Sequence, residues 1–337
     1  MTGSALAVTA PIHVTQARQL AARAARQAEL PESVVERVAL ATVELATNLV
    51  KYATKGMIMI MPGPDRLDVL ATDRGPGIEH VPESMRDGYS TTGTLGIGLG
   101  GIRRMADEFD IHSRHGEGTT ILARWHGPAW DVPLGAKLGV RVGAALCPAP
   151  GETSCGDNWV SAQADGVLTV ALSDGLGHGP EAAAASHAAM EHVVARPSAS
   201  PLELLRAMDA DMNPRRGATV ALVQFHLANS TISFCGVGNT TVRLIRGDGT
   251  HEALVSTPGI VGRRQRSGRR SMPVTRPWDS RAVLVMHTDG VTERWSPAEH
   301  VDALDHDPAT VAGWLLGTYG RHRDDACVVV VSGRGTR

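Results

Sequence analysis

The stretch Asp174-Gly-Leu-Gly-His-Gly179 follows an apolar run, Val167 to Leu172, and precedes Pro180 and an alanine-rich segment. An acid at the end of a buried strand, beside glycines that let backbone carbonyls turn inward, can hold a hard divalent cation. A tight turn uses the same residue types. Further carboxylates, Asp157, Asp289, Asp324 and Asp325, flank other apolar runs, and acids at several strand ends can converge on one face. A second group lies upstream. Glu44, Asn48 and Lys51 recur at i, i+4 and i+7, within a helical stripe roughly 60° wide. That puts a base, an amide and an ammonium on one face, although a solvent-facing polar stripe has the same spacing. Asp73-Arg-Gly75-Pro-Gly77 offers a carboxylate that can accept a hydrogen bond from an exocyclic amine, and glycines that let a flat base approach. That chemistry suits adenine. Gly96-Ile-Gly98-Leu-Gly100 leads into a helical pattern, so free N–H groups meet at a helix N-terminus and can receive phosphate.

These residues need elements to carry them. Good helix formers run from Thr15 to Glu29, and Pro31-Glu-Ser opens a second helix to about Ala53 that bears the Glu44 stripe. Met57 to Met61 and Leu67 to Thr72 read as strands, the second delivering Asp73. Two prolines and a glycine between His126 and Pro133 break the pattern and mark a linker. Beyond it, strands are expected at Leu138–Ala145, Val167–Leu172, Ala218–His226, Thr231–Val237, Thr241–Arg246, Ala282–His287 and Ala326–Val331. Helices are expected at Pro180–Val194 and Pro201–Asp211. The reading is a two-domain α/β (α+β) protein: residues 1–128, a linker at 129–135, and 136–337.

Composition narrows the function classes. A formal net charge of -2 with 20% charged residues supplies no basic field, which argues against nucleic acid as a partner. Cys147, Cys155, Cys235 and Cys327 form no C-x-x-C pair, which argues against structural zinc or a disulfide framework. No apolar run reaches the ~18 residues that span a bilayer and no leader pattern opens the chain, so a cytoplasmic protein without a membrane partner is expected. The basic run Arg263-Arg-Gln-Arg-Ser-Gly-Arg-Arg270 suits either an exposed hairpin or attraction of a phosphorylated partner.

Read together, Glu44-x-x-x-Asn48, Asp73-x-Gly75-x-Gly77, Gly96-x-Gly98-x-Gly100 and Gly116-x-Gly118-Thr119 occur in the order used by GHKL ATPases, and residues 10–125 most resemble the RsbT-like serine kinases. The resemblance implies a Bergerat-type α/β sandwich that binds ATP and Mg²⁺. Glu44 would be the general base, Asn48 the magnesium ligand, Lys51 a phosphate contact and Asp73 the adenine reader, with Gly75, Gly77, Gly96, Gly98, Gly100 and Thr119 completing the nucleotide site. Gly156-Asp157, Asp174-Gly-Leu-Gly-His-Gly179, Gly217-Ala-Thr219, Gly236-x-Gly238-Asn239, Thr288-Asp289-Gly290 and Asp324-Asp325 resemble the RsbX and SpoIIE branch of the PPM phosphatases over residues 138–333. That resemblance implies an α-β-β-α sandwich in which Asp157, Asp174, the Gly175 carbonyl, Asp289 and Asp324 surround two Mn²⁺ or Mg²⁺ ions. Asp325 is the less favoured ligand of its pair, and His178 is either a proton donor or a solvent-facing turn residue.

The function implied is a bifunctional regulator of bacterial partner switching. Its phosphatase would act on phosphoserine or phosphothreonine of STAS-domain anti-sigma antagonists or stressosome-type proteins, and its ATP-binding domain would phosphorylate STAS proteins. The alternative is a phosphatase whose N-terminal domain only senses ATP or binds a partner, such as a sigma factor or a PPM regulator.

Overall fold

The computed structural model describes residues 3–63, 66–85, 98–129, 134–137, 139–212, 216–262 and 272–333. Gly96 and the basic run at 263–270 lie outside the described residues. Two compact units are present: Met1–Asp131 together with Ala309–Thr318, and Val132–Pro308 with Tyr319–Arg337.

The first unit runs β1 (Ser4–Ala7), α1 (Pro11–Gln27), α2 (Glu32–Tyr52), β2 (Met57–Gly63), β3 (Arg66–Thr72), α3 (Val81–Ser84), α4 (Gly98–Met105), β4 (Glu108–Arg114) and β5 (Gly118–His126). Its strands form one antiparallel sheet in the order β1-β2-β3-β5-β4. Pro11, with φ preset and no N–H to satisfy, starts α1 four residues earlier than propensity alone suggests. Ala17, Ala21 and Ala25 are fully buried along α1, and such small side chains let two helices approach closely on the sheet. The pleat then sorts the strands. Leu67, Val69 and Ala71 of β3 and Ile121, Ala123 and Trp125 of β5 join Val38, Leu45 and Leu49 of α2 in one core.

On the opposite face of that sheet lie Asp68, Leu70 and Thr72, with Thr120, Leu122 and Arg124 paired beside them. The distant segment Ala309–Thr318 belongs to this unit and approaches that face through two glycines. A Cβ on Gly313 would stand 3.3 Å from Leu70 and Thr120, and one on Gly317 only 2.3 Å from Thr72 Oγ1. Arg74 Nε donates to the Gly317 carbonyl at 2.8 Å, and Trp314 meets the His112 ring edge-on at 5.7 Å. Asp68 and Arg124 form a buried pair at 2.8 Å, joined by Arg66. Burial alone would raise the Asp68 carboxyl, but the two guanidiniums outweigh it and hold the group well below the usual carboxylate range.

The second unit contains α5 (Leu134–Lys137), β6 (Arg141–Cys147), β7 (Asp157–Ala164), β8 (Val167–Gly175), α6 (Pro180–Ala195), α7 (Pro201–Asp211), β9 (Ala218–His226), β10 (Thr231–Val237) and β11 (Thr241–Ile245). It continues with β12 (His251–Ala253), β13 (Val274–Pro277), β14 (Val283–His287) and β15 (Ala326–Ser332), while α8 (Pro308–Tyr319), between β14 and β15 in the chain, belongs to the first unit except for its two end residues. Two five-stranded antiparallel sheets result, ordered β13-β10-β9-β8-β7 and β12-β11-β14-β15-β6. Helices α6 and α7 cover the first sheet through Ala189, Met190, Val193, Leu204 and Met208 against Val220 and Leu222. Val170, Val223 and Phe225, outside that helix-facing core, are fully buried as well, so the central strands are covered on both faces. All four cysteines are free thiols, and no helix among the described residues is long and apolar enough to cross a membrane.

Candidate active sites

In the first unit a cavity of about 610 Å³ opens beside α2. Glu44, Asn48 and Lys51 line it, so the polar stripe faces a pocket instead of bulk solvent. Asp73, Gly77, Gly98 and Thr119 line the same cavity. Asp73 sits just past the end of β3, where its N–H donates to the Thr119 carbonyl at 2.9 Å and its Oδ1 accepts from Gly75 N–H at 2.6 Å. Burial raises the Asp73 carboxyl, partly offset by the backbone amides of Gly75 and Thr119 that face it. Two glycines make this geometry possible. A Cβ on Gly118 (φ +96°) would collide with the Asp73 carbonyl at 2.0 Å, and one on Gly77 (φ +73°) with the Arg114 carbonyl at 2.2 Å.

Gly75 donates to Asp73 and does not line the cavity, and Gly100, buried within α4, does not line it either. Residues unremarked in the sequence also take part. Ser113 Oγ lies 2.9 Å from Thr119 Oγ1 and accepts from Ile78 N–H at 2.8 Å, tying the glycine loop to β5. Its only sequence signal is its place in β4, a strand that the local pattern does not announce.

In the second unit Asp157 and Asp174 stand directly opposite each other on β7 and β8. The hairpin turn sets this register. Asp165 and Gly166 both have positive φ, +52° and +76°, as a two-residue type I′ turn requires, and Ala164 pairs with Val167 around it. A slip of one residue would turn one of the two acids to the other face. The Asp-Gly dipeptide between two apolar runs was the available sequence signal for this pairing.

The remaining acids come from loops pressed together by glycines. A Cβ on Gly290 would stand 2.0 Å from the Asp325 carbonyl, so the loop carrying Asp289 can lie against Asp325 only without a side chain there. Gly290→Ala is expected to destabilise the protein by about 1–3 kcal/mol, as overpacking does; chemical denaturation of the two forms side by side measures it. A Cβ on Gly175 would meet the Ala182 carbonyl at 2.1 Å, so α6 packs directly on the backbone of the acidic loop. Asp289 accepts from Asn239 Nδ2 at 2.9 Å. Asp324 is exposed, whereas Asp325 is buried: its Oδ1 accepts from Ala149 N–H at 2.8 Å, and its Oδ2 has no hydrogen-bond partner among the described residues. His178 is largely exposed and pairs through Nδ1 with Glu152 Oε1 at 2.7 Å.

The electrostatics show how close these acids are. Burial, then the charge of Asp174, pushes Asp157 well up despite a hydrogen bond from Thr288, with Asp325 and Asp289 adding to it. Asp174 is pushed up to about 7 by burial, then by Asp289, Asp324 and Asp325. Among the described residues no three His, Cys, Asp or Glu side chains already form a coordination shell. The donor set still fits hard divalent ions: it is all oxygen, its carboxylates repel one another, and no salt bridge among the described residues joins Asp157, Asp174, Asp289 or Asp324 to a cationic side chain as Arg124 joins Asp68.

A pH dependence follows from the raised values. In metal-free protein, Asp174 binds a proton between its unfolded value near 4 and about 7, so its contribution favours folding at low pH and is lost as pH rises through about 7. Divalent ions compete with that proton. The rise in Tm on adding Mn²⁺ is expected to be larger at pH 8 than at pH 5.5, as read by scanning calorimetry after EDTA treatment.

Comparison with known proteins agrees with the division of chemistry between the two units. A family model described as a histidine kinase-like ATPase domain matches residues 7–125, and one described as stage II sporulation protein E (SpoIIE) matches residues 164–333. Serine/threonine-protein kinase RsbT of Bacillus subtilis (strain 168) is 42% identical over 117 residues, which cover 33% of this chain and 88% of that protein. Phosphoserine phosphatase RsbX of the same strain is 28% identical over 142 residues, 42% of this chain and 69% of that protein. A solved chain from work on "The bacterial stressosome: a modular system that has been adapted to control secondary messenger signaling" superposes with a TM-score of 0.53 at 25% identity, covering 57% of this chain and 98% of its own length.

Proposed function

We propose, from the premise that this chain belongs to the SpoIIE phosphatase family through its second half and to the RsbT-like histidine kinase-like ATPases through its first, that it writes and erases phosphate on STAS-domain proteins. It is a PPM-type serine/threonine phosphatase joined to an RsbT-like serine/threonine kinase domain, and that pairing is the make-up of a partner-switching regulator. The kinase sequence is read at residues 1–128 and the phosphatase sequence at residues 136–337, with Ala309–Thr318 of the latter stretch packing in the first unit. The observation that carries the reading is the pairing of Asp157 with Asp174, with Asp289 in electrostatic reach, in the same chain as a cavity lined by Glu44, Asn48 and Lys51.

At the kinase site ATP would lie in the cavity with its adenine amine on Asp73. Asn48 would hold Mg²⁺, Lys51 would neutralise phosphate charge, and the backbone at Gly98 would receive the phosphates. Glu44 would take the proton of the attacking serine hydroxyl. At the phosphatase site Asp157, Asp174, the Gly175 carbonyl, Asp289 and Asp324 would hold two Mn²⁺ or Mg²⁺ ions. Such ions supply Lewis-acid stabilisation of phosphoryl charge and lower the pKa of water. The chain's own part is to crowd these acids together at the ends of β7, β8, β14 and β15, without a salt bridge to any of them among the described residues. Incubating the full-length protein with a phosphorylated STAS protein and Mn²⁺, and separately with an unphosphorylated one and labelled ATP, tests both halves. No phosphate release in the first assay would end the phosphatase assignment. Glu44 on the cavity wall favours transfer over a purely ATP-sensing or sigma-binding role for the first domain.

A further inference from the structure

Thr288 is almost completely buried, at 1% exposure, between two functional loops. Its Oγ1 lies 2.6 Å from Asp157 Oδ2 and 2.9 Å from Cys327 N. The amide can only donate, so it takes one lone pair of the hydroxyl. The hydroxyl proton has two acceptors in reach: Asp157 Oδ2, and the Cys327 carbonyl at 3.5 Å. That carbonyl already accepts from Thr288 N–H at 3.1 Å, and the carboxylate contact is much shorter, so the proton points at Asp157. One hydroxyl thus joins β7, the β14 loop and β15.

We propose that Thr288 is a positioning residue of the phosphatase: it clamps one oxygen of Asp157 by a buried hydrogen bond and so presents the rest of that carboxylate to the divalent ions. The clamp is neutral, and its chemistry differs from that of Asp68, where Arg124 and Arg66 fix a carboxylate by cancelling its charge. A cation-binding acid needs orientation without neutralisation, and a hydroxyl provides it. Asn239 makes a similar neutral contact to Asp289 at an exposed position, where water can replace it. Asp157 is 4% exposed and has no such substitute.

The inference rests on Asp157 being an ion ligand, and the test separates the two ideas. Mn²⁺ binding to the full-length chain, without nucleotide, is measured by titration calorimetry for wild type, Asp157→Asn, Thr288→Val and Thr288→Ser. Thr288→Val is expected to weaken Mn²⁺ affinity about 10- to 100-fold, the range for residues that support a ligand, and Thr288→Ser to recover it to within about threefold. Unchanged affinity in Thr288→Val, with Asp157→Asn defective, overturns the clamp and leaves the metal site standing. Unchanged affinity in Asp157→Asn removes the ligand assignment beneath it. If Thr288→Val does not fold, Thr288→Ala against Thr288→Ser makes the same comparison: equal affinities refute the clamp, and a loss confined to alanine supports it.

Discussion

Asp174→Asn is expected to abolish Mn²⁺-dependent phosphate release from a phosphorylated STAS protein. Asp174 ends a central strand, faces Asp157 across the ladder and feels the charges of Asp289, Asp324 and Asp325. Its negative charge belongs to a cluster of mutually repelling carboxylates that bound cations would relieve at neutral and higher pH. Asparagine keeps the shape, so the hairpin register and the α6 contact at Gly175 should survive. Turnover should fall by more than about 100-fold, beyond the upper range for residues that merely support a ligand. In metal-free buffer the variant should be no less stable than wild type at pH 8, because one repelling carboxylate has gone. Wild-type turnover in Asp174→Asn would sink the metal assignment. Lost turnover with a much lower metal-free Tm would instead indicate a folding defect.

Glu44→Ala is expected to remove phosphate transfer from ATP to a STAS protein while leaving nucleotide binding nearly intact. The residue lines the cavity but is remote in role from the adenine contacts, which rest on Asp73 and its Gly75 and Thr119 partners. Loss of a positioned general base costs about 10²- to 10⁴-fold in rate. Labelled ATP in the full-length chain, carrying Asp174→Asn so that the product is not erased, reads the transfer. Fluorescent nucleotide titration reads the binding. Equal labelling with and without Glu44 would take the base role from it, and lost binding would make it a nucleotide contact. The intact chain is the right vehicle because Ala309–Thr318 belongs to the same unit as the cavity, and a fragment ending near residue 130 would lack that segment.

Much of this was determined locally. The apolar runs from Ala218 to His226 and from Thr231 to Val237 appear as strands with those bounds, and Pro201–Asp211 appears as a helix. The i, i+4, i+7 spacing puts Glu44, Asn48 and Lys51 on one face of any helix, so the sequence determined their grouping. The structure decided that the face looks into a cavity. Asp157, Asp174 and Asp289 were likewise legible as acids at strand ends, because a strand's apolar pattern and its terminating glycine lie within a few residues.

Tertiary structure decided the rest, through contacts between residues far apart in the chain. Nothing near residue 313 announces that Gly313 and Gly317 serve as close-approach points for a sheet face built from residues 68–72 and 120–124. Which member of Asp324-Asp325 turns inward depends on a loop held under Gly290, not on either residue's own propensity. The partnership of Thr288 with Asp157 spans 131 positions and exists only because β14, β15 and β7 end at one place. A sequence can state which side chains are able to bind a cation or a nucleotide. Their orientation is set by packing at ångström scale, where a single absent Cβ or one hydroxyl proton makes the difference.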